Sequence, residues 1–178
     1  MANDGVVVDA NIMSHYIQEK KNDEGKLYNL IEFIIDCCGL AINDRVELEW
    51  RNTTGDEFFN IWFVDCILAQ RIKYVTDSNK LTTHQKNKIH NDYGLPRGNK
   101  SKDIAYIKCN INTEIRYILT EDIDFYDPKR KKESPKAKFE ARNQRRGALC
   151  KFLKKKFQIT VGLPEHCYED LMSKGVVS

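Results

Sequence analysis

Four acidic residues stand where element ends would bring distant side chains together: Asp9, Glu49, Asp103 and Asp122. Asp9 directly follows the β-branched run Val6-Val7-Val8, and Asp122 follows Tyr117-Ile118-Leu119-Thr120. Glu49 falls in the early turns of a helix that Asp44 could cap. Asp103 falls in the first turn of a helix for which Ser101 would be the N-cap. Carboxylates crowded at one place repel each other, and without a cation some must take up protons. A hard divalent ion removes that conflict, because Mg²⁺ or Mn²⁺ prefers oxygen ligands and retains several waters. Such an ion can lower the pKa of a bound water and neutralise charge developing on a phosphate oxygen. Other chemistries find little support. His15, His84, His90 and His166 are scattered, with no Ser-His-Asp or Cys-His order. His15, one helical turn past Asn11, reads as a surface residue. The glycines form no phosphate-cradling loop. Cys37, Cys38, Cys66, Cys109, Cys150 and Cys167 include no CxxC pair and sit in apolar stretches, as structural thiols do.

The elements that must position these acids alternate along the chain. Val6–Val8 and Leu40–Ile42 read as strands, with a helix beginning at Ile12–Gln18 and another over Glu24–Gly39 between them. Asp44 to about Asn52 reads as a helix. Phe58–Val75 reads as one longer, largely buried helix. Thr83–Tyr93 is a short polar helix, and a helix opened by Ser101 carries Ile104, Ile107 and Ile111 inward. Glu114–Thr120 and Gln158–Val161 are the last strands, the latter stopped by Leu163-Pro164. Ser134-Pro135 has the form of an N-cap and first helical residue for a helix reaching Lys156. Alternation of this kind predicts an α/β fold, a three-layer α/β/α arrangement around a mostly parallel sheet. Ligands of such sheets bind at the carboxyl ends of the strands, which singles out Asp9 and the Glu121–Asp124 segment.

Four segments in order resemble the PIN-domain nuclease family: VVVDANIM at Val6–Met13, VELEWRN at Val46–Asn52, KDIAYIKC at Lys102–Cys109, and YILTEDIDF at Tyr117–Phe125. The resemblance implies a single PIN-like domain over residues 1–178, with a basic helical insertion at about 128–156. It implies Asp9, Asp103 and Asp122 as metal ligands, with Glu49 orienting the attacking water. Glu49 fits the family pattern better than Glu47, because Trp50 follows it directly. Asn11, Thr120, Asp124 and Glu47 would support the ligands from behind. The implied activity is metal-dependent hydrolysis of phosphodiester bonds, in RNA before DNA, by a toxin or defence effector. The implied partners are nucleic acid, an inhibitory antitoxin or other regulator, and a second copy of the chain.

Charge is distributed unevenly. Between Pro128 and Lys156 thirteen Lys/Arg face two Glu, a local +11 in a chain of net +3, so the remainder carries −8. A basic lobe beside an acidic body suits a polyanion-binding protein that keeps carboxylates for metal. Arg97, Lys100 and Lys102, in the loop before Asp103, and Lys129, Arg130, Lys131, Lys132, Arg142, Arg145 and Arg146 are the expected phosphate contacts. In one continuous helix Phe139, Leu149, Phe152 and Leu153 would form the inner stripe. No base-reading device is evident, so sequence specificity is not expected from this lobe. The N-terminal segment lacks a basic region before its apolar run, and no apolar stretch approaches membrane-helix length, so a cytoplasmic protein is expected. The competing reading is a catalytically silent nucleic-acid-binding module whose acids are structural. A phosphate receiver or phosphohydrolase is disfavoured, since Asp9 has no D-x-D partner.

Overall fold

The computed structural model describes residues 5–76, 81–97 and 103–174. Its strands are short and parallel. β1 (Val7–Val8), β4 (Tyr117–Leu119) and β5 (Thr160–Gly162) form one ladder, with Val8 opposite Leu119 and Leu119 opposite Gly162. β2 (Leu40–Ile42) pairs with β3 (Ile72–Tyr74). A parallel bridge from Val6 to Leu40, closed by the Ala41 N–H donating to the Val6 carbonyl at 2.8 Å, joins the two ladders. The strand order through that bridge is β3-β2-β1-β4-β5. The chain therefore reverses its direction of travel across the sheet between β1 and β4. All three residues of β2 and of β4 and both of β1 are buried, which is why these segments are continuously apolar rather than alternating.

Helices fill the connections. α1 (Ala10–Lys21) and α2 (Lys26–Cys38) lie between β1 and β2, and α2 buries Ile31, Ile34, Ile35 and Cys38 on one stripe. α3 (Asp44–Thr54) is capped by Asn43, whose side chain accepts from the Val46 N–H at 2.9 Å; the expected cap, Asp44, is already the first helical residue. α4 (Glu57–Leu68) and β3 together replace the single helix expected over Phe58–Val75. The helix ends because Gln70 takes a left-handed conformation (φ 57°), a turn that glycine normally announces and here does not. Nor is α4 buried all round: Ile61, Val64 and Leu68 are 59%, 51% and 76% exposed, an apolar stripe facing outward. α5 (Thr83–Asn91) begins with a capping box between Thr82 and Gln85. α6 (Asp103–Asn110) carries Ile107 and, just beyond it, Ile111 into the core, while the expected Ser101 cap lies outside the described residues. Among the described residues, no helix is long and apolar enough to cross a membrane.

The region after β4 departs most from expectation. A short α7 (Ile123–Tyr126) comes at once, then a 3₁₀ turn at Pro128–Arg130. The basic segment is two helices, α8 (Pro135–Asn143) and α9 (Ala148–Phe157), broken where Arg145 adopts φ 49°. Gly147 sits at the break, and a Cβ there would lie 2.1 Å from the Tyr126 carbonyl oxygen. Ser134 and Pro135 do start α8 as expected. Leu149 and Leu153 are buried as expected, but Phe139 is 57% exposed, because the break turns α8 away from the stripe of α9. A final helix, α10 (Pro164–Ser173), comes after β5 and packs against α2. All six cysteines are free thiols.

Candidate active site

The carboxyl ends of β1 and β4 lie side by side, and the sheet reverses its strand order there. This is the position at which open parallel sheets form a crevice. The Asp9 N–H donates to the Leu119 carbonyl at 2.8 Å, so the residue after β1 is locked to the end of β4. Its carboxylate makes no cap to α1. Instead the Thr120 hydroxyl donates to Asp9 Oδ2 at 2.7 Å, and that hydroxyl oxygen in turn accepts from the Asp122 N–H at 2.9 Å. One fully buried threonine thus fixes two acids from different parts of the chain.

Three further groups hold this edge. The Trp50 indole N–H donates to the Val8 carbonyl at 2.8 Å, which anchors α3 to the end of β1, and the neighbouring Glu49 is close enough for its charge to raise both Asp9 and Asp103. The Tyr106 hydroxyl accepts from the Ala10 N–H at 3.2 Å, so α6 is tied to the start of α1. Tyr106 stands one turn after Asp103 on the same helix, and burial together with the charges of Asp9 and Glu49 keeps its hydroxyl neutral. The Asn43 side chain donates to the Ala105 carbonyl at 3.3 Å, joining the starts of α3 and α6. Neither Tyr106 nor Trp50 stood out in the sequence as a site residue. Tyr106 had a visible signal, its one-turn spacing from Asp103.

The electrostatics show which acids share the crevice. Burial, then the charges of Asp122 and Glu49, push the Asp9 carboxyl up to about 6, although the Thr120 hydroxyl and the Asn11 amide draw it partly back. Burial pushes Asp103 up to about 7, with Asp122, Asp124, Asp9 and Glu49 all adding to the rise. Asp122 is raised as well, first by burial and then by Asp124, with the Asp124 amide, Lys131 and Arg142 opposing. Asp103 therefore feels every other acid of the group. Asp9, Glu49, Asp103, Asp122 and Asp124 form one coupled set. No family model, curated protein or solved structure matches this chain.

Asp124 has a larger place than a supporting one. It is 3% exposed, its Oδ2 accepts from the Lys131 ammonium at 2.6 Å, and among the described residues its buried Oδ1 has no hydrogen-bond partner. Lys131, expected on a phosphate-binding face, is instead an exposed counter-cation closing on buried Asp124, and Asp124 raises its pKa. Among the described residues, no three Asp, Glu, His or Cys side chains are grouped closely enough to hold a metal ion as they stand. The candidate ligand atoms are nevertheless all carboxylate oxygens, and among the described residues the buried Asp124 Oδ1 has no hydrogen-bond donor. That chemistry fits a hard divalent ion.

The remaining expected residues divide clearly. Glu47 is not brought to the crevice: it accepts from Arg51 Nε at 2.7 Å and from the Tyr74 hydroxyl, on the outer side of α3. The Asn11 side chain is exposed, and its contribution to Asp9 comes through its backbone amide. Arg142 donates to the Glu121 carbonyl at 2.8 Å, bracing the residue before Asp122. Lys129, Arg130, Lys132 and Arg146 are exposed. Arg97 is exposed and donates to Asn91 at 2.7 Å, while Lys100 and Lys102 lie outside the described residues. Arg145 departs from expectation: it pairs with Asp170 at 2.6 Å and ties the break between α8 and α9 to α10. His15 is exposed, as expected.

Proposed function

We propose that this chain is a metal-dependent endonuclease with a PIN-like three-layer fold, acting on RNA before DNA. The observation that carries the reading is the set of five acids coupled at the switch point of a parallel sheet, with Asp9 and Asp103 pushed up to about 6 and about 7. Asp9, Asp103 and Asp122 would hold Mg²⁺ or Mn²⁺, and Asp124 adds a further candidate oxygen. A divalent ion bound there supplies charge neutralisation and a water that deprotonates near neutral pH. The protein's own residues do the rest. Thr120 holds Asp9 and Asp122 in register, Tyr106 keeps a proton at the hydroxyl beside Glu49, and Glu49 orients the attacking water. The exposed Lys129, Arg130 and Lys132, which come directly after α7, would hold the phosphate backbone on the acidic edge without reading bases. The outward stripe of Ile61, Val64 and Leu68 supports a second copy or a regulatory protein, such as an antitoxin, as partner.

The experiment is cleavage of labelled RNA and DNA, single-stranded and duplex, with Mg²⁺, Mn²⁺ or EDTA. Asp9→Asn is expected to cut at least about a hundredfold more slowly, while binding RNA as well as the parent does. One observation favours a second reading, a silent nucleic-acid-binding module: among the described residues no three such side chains are grouped closely enough to hold a metal ion. An unmutated protein that binds RNA but cleaves nothing with any metal would decide for the module.

A further inference from the structure

A large cavity lies away from the acids, at the opposite edge of the sheet. It offers about 1250 Å³, open on one side to solvent, where β4 and β5 begin, between the end of α2, the loop before β4, α9 and α10. Among the described residues, seven Lys/Arg line it against two acids, Glu114 and Asp170. The cations are of two kinds. Arg116 and Arg145 are held in place, the first by the Phe157 carbonyl at 2.7 Å and the second by Asp170 at 2.6 Å. Lys151 and Lys155 reach in from exposed positions on α9, with no acidic partner among the described residues. Ile115, Tyr117, Val161 and Leu171 make an apolar floor beneath this ring. The +11 segment is therefore not one phosphate-binding face: its early residues border the carboxylates, and its α9 lysines border this cavity.

We infer that this cavity is a binding site for a phosphorylated small molecule of the nucleotide class, separate from the acidic crevice. Fixed guanidinium groups and exposed ammonium groups around one opening are suited to a multiply charged phosphate. The apolar floor gives a planar, weakly polar body a place to rest, and the volume admits a ligand of that size. The inference does not depend on the acidic site being catalytic.

The test is calorimetric titration of the full chain with ATP, AMP, pyrophosphate and inorganic phosphate, in EDTA so that the carboxylates recruit no phosphate through a metal. ATP is expected to bind one per chain, and more tightly than pyrophosphate. Lys151→Glu with Lys155→Glu should weaken ATP at least about tenfold. Asp9→Asn and Lys129→Glu/Lys132→Glu should leave ATP binding unchanged, and circular dichroism should show all variants folded. The inference is overturned if ATP gives no heat at millimolar concentration, or if pyrophosphate binds equally well. Unchanged affinity in the α9 double variant, or loss of binding in Asp9→Asn, would also overturn it.

Discussion

At the residue scale, the acids work against the fold that holds them. A carboxyl whose folded pKa lies above its unfolded value keeps its proton more tightly when folded, so ionising it costs stability. For Asp9 that cost begins above its ordinary value of 3.8 and is complete by about pH 6; for Asp103 the window extends to about pH 7. In metal-free buffer, Asp9→Asn should therefore be more stable than the parent at pH 7.5, by about 3 kcal/mol if the whole shift is recovered. That advantage should shrink toward nothing near pH 4. Asp103→Asn should behave alike over its wider window, and the two gains should not add, because the groups titrate together. Urea denaturation across pH reads this directly, and an advantage independent of pH would refute it. Lys131 makes the converse case. Lys131→Met leaves Asp124 buried with neither oxygen compensated by a cation, and should lower stability by about 1 kcal/mol, discounted for the exposed lysine. Asp124→Asn in the same background should restore it.

At the element scale, the site depends on how α7 is fixed. α7 carries Asp124 and starts at Asp122, whose side chain accepts from the Asp124 N–H at 2.9 Å. Its other end meets Gly147, where a methyl group would collide with the Tyr126 carbonyl. Gly147→Ala should cost about 2 kcal/mol or more, read as a lower melting temperature. It should also slow cleavage, because relief of the clash moves the backbone that presents both acids. A variant with parental stability would show that the α8–α9 break is not pressed against α7. The same element explains why the helix expected from Ser134 to Lys156 is divided. Gly147 was visible in the sequence, but only the neighbouring Tyr126 backbone makes glycine necessary there. β3 was hidden for the reverse reason, since Gln70 makes a glycine-type turn with no glycine to mark it.

At the scale of the whole molecule, charge is separated across the sheet, with acids at the carboxyl edge and a basic cavity at the amino edge. Nucleic-acid binding should therefore depend on the early part of the basic segment. Charge reversal at Lys129, Arg130 and Lys132 should flatten the dependence of RNA affinity on salt, each lost phosphate contact reducing the log–log slope by about 1. Arg145→Ala should leave that slope unchanged and lower stability by about 1 kcal/mol, because it releases Asp170 on α10. Equal loss of RNA binding from Arg145 and from Lys129 would contradict this division.

The sequence by itself placed most of the strands and several helices, and it singled out the acids as candidates. Strand-end positions such as Asp9 and Asp122 are legible because a buried parallel strand is a short apolar run, and the residues just past its carboxyl end must face the crevice. Apolar spacing likewise exposed α2 and the inward residues of α6. What only the tertiary structure decided was direction. Glu47 and Glu49 lie two residues apart on one helix, yet Glu47 closes on Arg51 while the charge of Glu49 reaches Asp9. Lys131 and Arg145 belong to the same run of cations, yet one closes on buried Asp124 and the other on Asp170. Local pattern sets where a charge can be; its partner is a residue far along the chain, supplied by the closing of the fold.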